Sequence, residues 1–187
     1  MAARTLFTVG HSSRSAEAFL AVLAAHGIRT VVDVRRFPGS RRHPHFGQDE
    51  LAGALAITGI EYAHEVALGG RRVPSAEHRA PNAAWRVAAF RAYADYALTD
   101  PFHEALDRVL VLAARQPTTV MCAEAVPWRC HRRIIADHAV ARGWTVQHVF
   151  DARRTDAHDL HPSARVRDDG RVVYPPPEGE QEELWHA

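Results

Sequence analysis

The stretch PTTVMCAEAVPWRCHRRIIADHAVARG, residues 117–143, decides the fold class. Its first part, PTTVMCAE, is a short run of β-branched and apolar residues, the composition of a strand. WRCHRRIIADHAVARG then reads as a helix terminated at Gly143, and WTVQHVFD follows as another strand. A strand that feeds a helix and then a new strand is the repeating unit of a parallel sheet.

The same alternation runs outward from this stretch toward the N-terminus. TLFTVGH predicts a strand and SAEAFLAVLAAHG a helix closed by Gly27, with Phe19, Leu20, Leu23 and Ala24 on its inner face. RTVVDVRRFP has the unbroken apolar run of a strand buried on both faces. QDELAGALAITG predicts a helix and IEYAHEVALGG a shorter strand. Between Ala83 and Arg115 the chain predicts two helices, because Asp100 and Pro101 supply a cap and a first helical residue in mid-segment. Trp85, Phe90, Tyr93 and Ala97 fit the inner face of the first, and Phe102, Leu106, Val109, Leu110 and Ala113 that of the second.

The expected fold is therefore α/β: a Rossmann-like, open, mostly parallel sheet with helices on both faces. Residues 1–150 are expected to form one domain. Residues 151–187 are expected to be a C-terminal extension, with a hairpin around Asp169 and Gly170 and a proline-rich tail.

Composition excludes several chemistries. There is no run of some 18 apolar residues and no apolar leader core, so neither a membrane span nor export is expected, and the protein is read as cytoplasmic. Two cysteines are too few for a disulfide framework; they are buried spacers, metal ligands or reactive thiols. All 23 basic residues besides histidine are arginine, which removes lysine Schiff bases, lysine general bases and Walker-type phosphate binding. A net charge of +1 argues against a strong global pull on nucleic acid and makes a nucleic-acid partner the weakest reading.

In open parallel sheets, ligands bind outside the carboxyl ends of the strands where the strand order reverses. The chemistry-bearing residues fall at those ends: His11 and Ser12 after the first strand, Asp33 and Arg35 after the second, Cys122 and Glu124 after the late one. Cys130, His131 and Arg132 come next. Pro127 fits a first helical position, which would put Cys130 in the first turn, where the helix dipole favours a thiolate by about 0.3–1 kcal/mol. Cys130 is then a candidate low-pKa thiol; the alternative is a small buried residue. Cys122 and Met121 should point to opposite faces. Glu124 follows an apolar strand, where burying an unpaired carboxylate costs several kcal/mol, so it is expected either to pair with Arg132 or Arg35 or to act as an acid/base group.

His11 is a candidate proton carrier, phosphate ligand or structural residue. Arg35, Arg132, Ser12, Asp33 and Ser40 are the candidate ligand-binding residues, since arginine forks suit phosphate or carboxylate oxygens. The spacing in CAEAVPWRCH matches no standard zinc pattern, so no metal ligands are assigned and no cofactor is identified.

Taken in order, TVGHS, VVDVRRFPGS, IEYAHEVALGG and MCAEAVPWRCHRR resemble the bacterial and archaeal family known as domain of unknown function 488, from about Leu6 to Phe150. The resemblance implies a Rossmann-like α/β fold and a shared polar site but no reaction. Its motif positions are His11, Ser12, Asp33, Arg35, Pro38, Ser40, Gly69, Gly70, Cys122, Glu124, Cys130, His131 and Arg132. DVR after a strand and a cysteine strand feeding a helix are also similar to rhodanese-type sulfurtransferases. Those need a tight loop of backbone amides after the cysteine, and CAEAVPW puts an acid there, so that likeness extends to fold alone.

The expected function is that of a small enzyme with an anionic or nucleotide-like ligand. The alternative is a redox- or metal-responsive binding protein using Cys122, Cys130 and His131.

Overall fold

A computed structural model describes residues 4–39, 42–73 and 81–176 of the chain. Strand β1 (Thr5–Gly10) leads to helix α1 (Ala16–Ala25), and β2 (Thr30–Asp33) to α2 (Gln48–Ile57) and β3 (Glu61–His64). Helices α3 (Ala88–Tyr96) and α4 (Asp100–Arg115) precede β4 (Thr118–Cys122), which leads to α5 (Arg132–Ala141) and β5 (Thr145–Val149). Strand β6 (Thr155–Ala157) and the pair β7 (Arg165–Val166) and β8 (Val172–Val173) follow.

The main sheet has the order β3-β2-β4-β1-β5-β6. Its first five strands are parallel, and β6 runs antiparallel to β5. This is the expected open, mostly parallel sheet. From β1 the chain crosses to one side, toward β2, and from β4 to the other, toward β5. Because β1 and β4 are direct neighbours, with Gly10 opposite Cys122, the order reverses between them and a crevice opens at their carboxyl ends.

Alternation along the strands divides the core between two helical layers. Val9, Val31 and Met121 pack with Phe19, Val22 and Leu23 of α1 and Leu51 and Leu55 of α2. Leu6, Val32, Val120 and Val146 pack on the other face with residues of α3, α4 and α5, such as Tyr93, Leu106 and Ile134. Each fully buried side chain of this size contributes about 1.5–3 kcal/mol through the apolar area it removes from water. On α1 the buried stripe is Phe19, Val22 and Leu23, while Ala24 is exposed. The spacing i, i+3, i+4 from Phe19 selects Val22, the larger side chain, over Ala24.

The end of the chain is built into this core. Strand β6 is the edge of the main sheet, and Val172 and Tyr174 are fully buried among the residues of α3 to α5. The hairpin forms with Gly170 at a φ of +76°, as its turn requires. Residues 177–187, with the end of the proline-rich tail, lie outside the described residues. Among the described residues no helix is long and apolar enough to cross a membrane.

Two local expectations change. Asp100 is the first residue of α4 and Thr99 its cap position. More consequentially, PWRCHRR is not a continuous helix start. Pro127–Arg129 form one 3-10 turn, Cys130 is extended at φ −133° and ψ 147°, and α5 begins only at Arg132. Cys130 closes the 3-10 turn with its N–H on the Pro127 carbonyl at 3.0 Å. It therefore stands outside the first helical turn, where the expected helix-dipole stabilisation of its thiolate does not act. The break turns its side chain inward, leaving it 3% exposed.

Candidate functional site

The carboxyl ends of β1, β2 and β4 open onto a cleft of about 960 Å³. Its walls include His11, Ser12, Arg35, Cys122, Glu124, Cys130 and His131, residues more than a hundred positions apart in the chain. Arg36, Arg42, Arg71 and Arg129 join Arg35 on the lining, and among the described residues Glu124 is the only carboxylate that lines it. This lining gives the cleft an excess of positive charge, whose field the low-dielectric walls focus.

The β1 turn is held by a close backbone approach. His11 and Ser12 continue the pairing with the end of β4, their N–H groups donating to the Cys122 and Ala123 carbonyls at 2.9 and 3.0 Å. A Cβ at Gly10 would lie 1.9 Å from the Glu124 carbonyl oxygen, so only glycine permits this contact. Ser12 then adopts a φ of +53°, a conformation rare for a residue with a side chain.

His11 is buried and stacked on Phe46 at 4.0 Å. Its Nδ1 lies 2.9 Å from the Ser12 carbonyl, which can only accept, so Nδ1 carries the hydrogen and Nε2 keeps its lone pair. Arg35 Nη1 approaches that Nε2 at 3.4 Å. Burial, reinforced by the Arg35 charge, lowers the His11 pKa to about 4, so the ring is neutral near pH 7.

Arg35 is occupied from behind. Asp33, fully buried, accepts from its Nε at 2.9 and 3.0 Å and from Nη2 at 2.5 Å. Tyr62 donates to the same carboxylate at 2.9 Å. The pair anchors Arg35 and leaves Nη1 as its forward donor.

The floor of the cleft carries the thiols. Met121 faces the α1–α2 layer and Cys122 the opposite one, as the alternation requires. His131 Nδ1 is 3.7 Å from the Cys130 Sγ and 4.0 Å from the Cys122 Sγ. Its Nε2 is 3.1 Å from the Val34 carbonyl, which fixes the hydrogen on Nε2 and points the Nδ1 lone pair at both sulfurs. Burial opposes a Cys130 thiolate, but the hydrogen bond from the Cys122 thiol and the Arg132 charge help hold its pKa well below the ordinary thiol value. The hydrogen bond to Cys130 and its own burial push Cys122 well above that value. One proton shared by two adjacent sulfurs is the physical basis of that split.

Arg132 backs this floor and does not line the cleft. It is 1% exposed, and its guanidinium reaches Cys130 Sγ at 3.4 Å, Thr8 Oγ1 at 3.4 Å and the Glu124 carbonyl at 2.5 Å. Thus the Glu124 backbone is what Arg132 grips. Its side chain is exposed at the rim, with no ion pair among the described residues, so the burial argument made for it does not apply. Asp33 also stands behind the wall. Ser40 lies outside the described residues.

The sequence reading missed three contributors. Arg129 at the rim carried no motif signal in an arginine-rich chain. Tyr93, read correctly as core, also lines the cleft and packs its ring 5.0 Å from that of His131. The Val34 carbonyl, which sets the His131 tautomer, leaves no trace in residue type.

This architecture, an open parallel sheet with a thiol–imidazole cleft at its switch point, defines a Rossmann-like α/β protein. The chain belongs to the family described as domain of unknown function DUF488, whose model matches residues 15–139. No curated protein and no solved structure matches the chain.

Proposed function

We propose that the protein is an enzyme that binds a small anionic molecule, phosphate-bearing in preference, and transforms it on the Cys122, Cys130 and His131 floor of the cleft. The observation that carries this reading is the lining itself: five arginines and one rim carboxylate surround two cysteines and a histidine at the sheet's switch point. Arg36, Arg42, Arg71 and Arg129 would hold the anion, because Arg35 is already committed to Asp33. His131 Nδ1, with its lone pair toward the sulfurs, is the proton acceptor of the floor. Glu124 is the carboxyl acid/base group at the rim, and the neutral His11 offers Nε2 as an acceptor on the wall.

The test is a thermal-shift titration with pyrophosphate at low salt, on the native chain and on Arg129→Ala and Arg36→Ala. A ligand that binds only the folded state raises stability by RT ln(1 + [L]/Kd). The expected result is a saturable rise in Tm for the native chain that falls at least severalfold in apparent affinity in each variant. No rise with pyrophosphate, or an equal rise in all three proteins, overturns the reading.

A further inference from the structure

A metal site is first a matter of distances between donor atoms. With metal–sulfur bonds of about 2.3 Å and metal–nitrogen bonds of about 2.0–2.1 Å, a tetrahedral ion sets its ligand atoms about 3.5–3.8 Å apart. The sulfurs of Cys122 and Cys130 and Nδ1 of His131 all lie within 4.8 Å of one another. The two sulfur–nitrogen separations are 3.7 and 4.0 Å. Among the described residues no other group of three histidine, cysteine or acidic side chains comes together in this way.

The surroundings fit ligation independently of the distances. The Val34 carbonyl holds the hydrogen of His131 on Nε2, so the lone pair that a metal needs is on Nδ1, facing the sulfurs. A ligating imidazole anchored through its other nitrogen to a carbonyl is the common second-layer arrangement. Arg132 Nε donates to Cys130 Sγ, as expected beside a thiolate. Gly70 clears the ligand atom: a Cβ there would lie 2.8 Å from Nδ1.

We infer that Cys122, Cys130 and His131 form a binding site for a thiophilic divalent cation, Zn²⁺ foremost, whose fourth position faces the arginine-lined cleft. Binding displaces the proton shared by the two sulfurs to solvent, and two thiolates then balance the dication. Three protein ligands and a fourth position toward a cleft is the pattern of a catalytic site, not of a closed structural one. The fourth ligand is water or an oxygen of the bound anion. Only this last assignment rests on the proposed function; the three protein ligands stand on geometry alone.

The test uses the full chain prepared without a metal-affinity step, stripped with a chelator and titrated with Co²⁺. The expected result is one Co²⁺ per chain with intense tetrahedral d–d bands and sulfur-to-metal charge transfer, displaced by Zn²⁺. Cys130→Ser should remove at least half of the charge-transfer intensity, and His131→Ala should weaken Co²⁺ affinity and lower the tetrahedral d–d intensity. Gly70→Ala, which keeps all three ligands and crowds Nδ1, should weaken affinity about 10–100-fold, the range for disturbed ligand orientation. A pale six-coordinate spectrum, or one left at full intensity in Cys130→Ser, overturns the inference. The pyrophosphate shift is read on the same metal-free protein. A failed cobalt spectrum with a retained shift rejects the metal site and leaves the cleft as an anion site, and the converse rejects the anion reading alone.

Discussion

Two clusters of polar side chains sit close together in this molecule and differ in one respect. Under the sheet edge, Thr8 Oγ1 meets His148 Nδ1 at 2.7 Å, His148 Nε2 meets His158 Nδ1 at 2.9 Å, and His158 Nε2 reaches Asp137 at 2.9 Å. The His161 N–H and the Tyr174 hydroxyl complete the Asp137 carboxylate at 3.0 and 2.8 Å. Each polar atom of this relay faces another, and the His158 and Asp137 side chains are buried. At the cleft, by contrast, the arginines, the sulfurs and His131 Nδ1 face a cavity. Arg132 belongs to both, bonded to Thr8 on one side and Cys130 on the other. A satisfied buried network fixes a structure; donors and acceptors left facing a cavity are what a ligand can use.

The sharpest way to break this comparison is Asp137→Ala. It strips His158, the His161 N–H and Tyr174 of their common acceptor, and removing one member of such a buried set typically costs about 3–5 kcal/mol. Urea unfolding should record that loss. If the protein keeps its stability, the cluster is not what secures the C-terminal segment.

Acid should weaken both regions next. Burial, helped by the neighbouring His158 and Arg132, lowers the His148 pKa to about 3, and burial lowers that of His11 to about 4. His138, fully buried with neither ring nitrogen partnered among the described residues, is shifted downward by burial as well. Between pH 6.5 and these values the unfolded chain binds protons that the folded chain refuses, so stability rises with pH across this window and falls on acidification. From pH 7 to pH 5, His148 and His11 should each cost about 1–2 kcal/mol. A flat profile over that range would mean that these rings protonate in the folded protein.

The smallest stability effect is expected at the cleft. Arg129 is exposed and has no ion pair among the described residues, so Arg129→Ala should change unfolding free energy by no more than about 0.5 kcal/mol. The same variant should weaken pyrophosphate binding. A large stability loss there would place Arg129 with the structural cluster.

The legibility of the two regions in the sequence differs in the same way. The cleft residues were readable because strand ends are where open sheets bind ligands, and that rule brought His11, Ser12, Arg35, Cys122 and His131 to one place. The buried cluster was not readable. His148, His158, Asp137 and Tyr174 each look unremarkable locally, and what joins them is the antiparallel β6 edge and the returning hairpin. Cys130 was placed one turn too deep in a helix because Pro127 suits the start of a 3-10 turn as well as that of an α-helix. Charge suggests Arg132 or Arg35 as a partner for the Glu124 carboxylate, or an acid/base role, whereas the structure sets the Arg132 guanidinium on the Glu124 backbone carbonyl.

The sequence by itself determined the strand–helix alternation, the two-faced burial of β2, the terminators at Gly27 and Gly143, and the ends at which chemistry gathers. These follow from periodicity and backbone preference, which act over a few residues. Only the tertiary structure decided that β4 lies between β1 and β2, that both cysteines face His131, and which nitrogen of that ring is free. Those outcomes depend on contacts such as that between His131 and Val34, 97 positions apart, and no local preference encodes a neighbour at that distance.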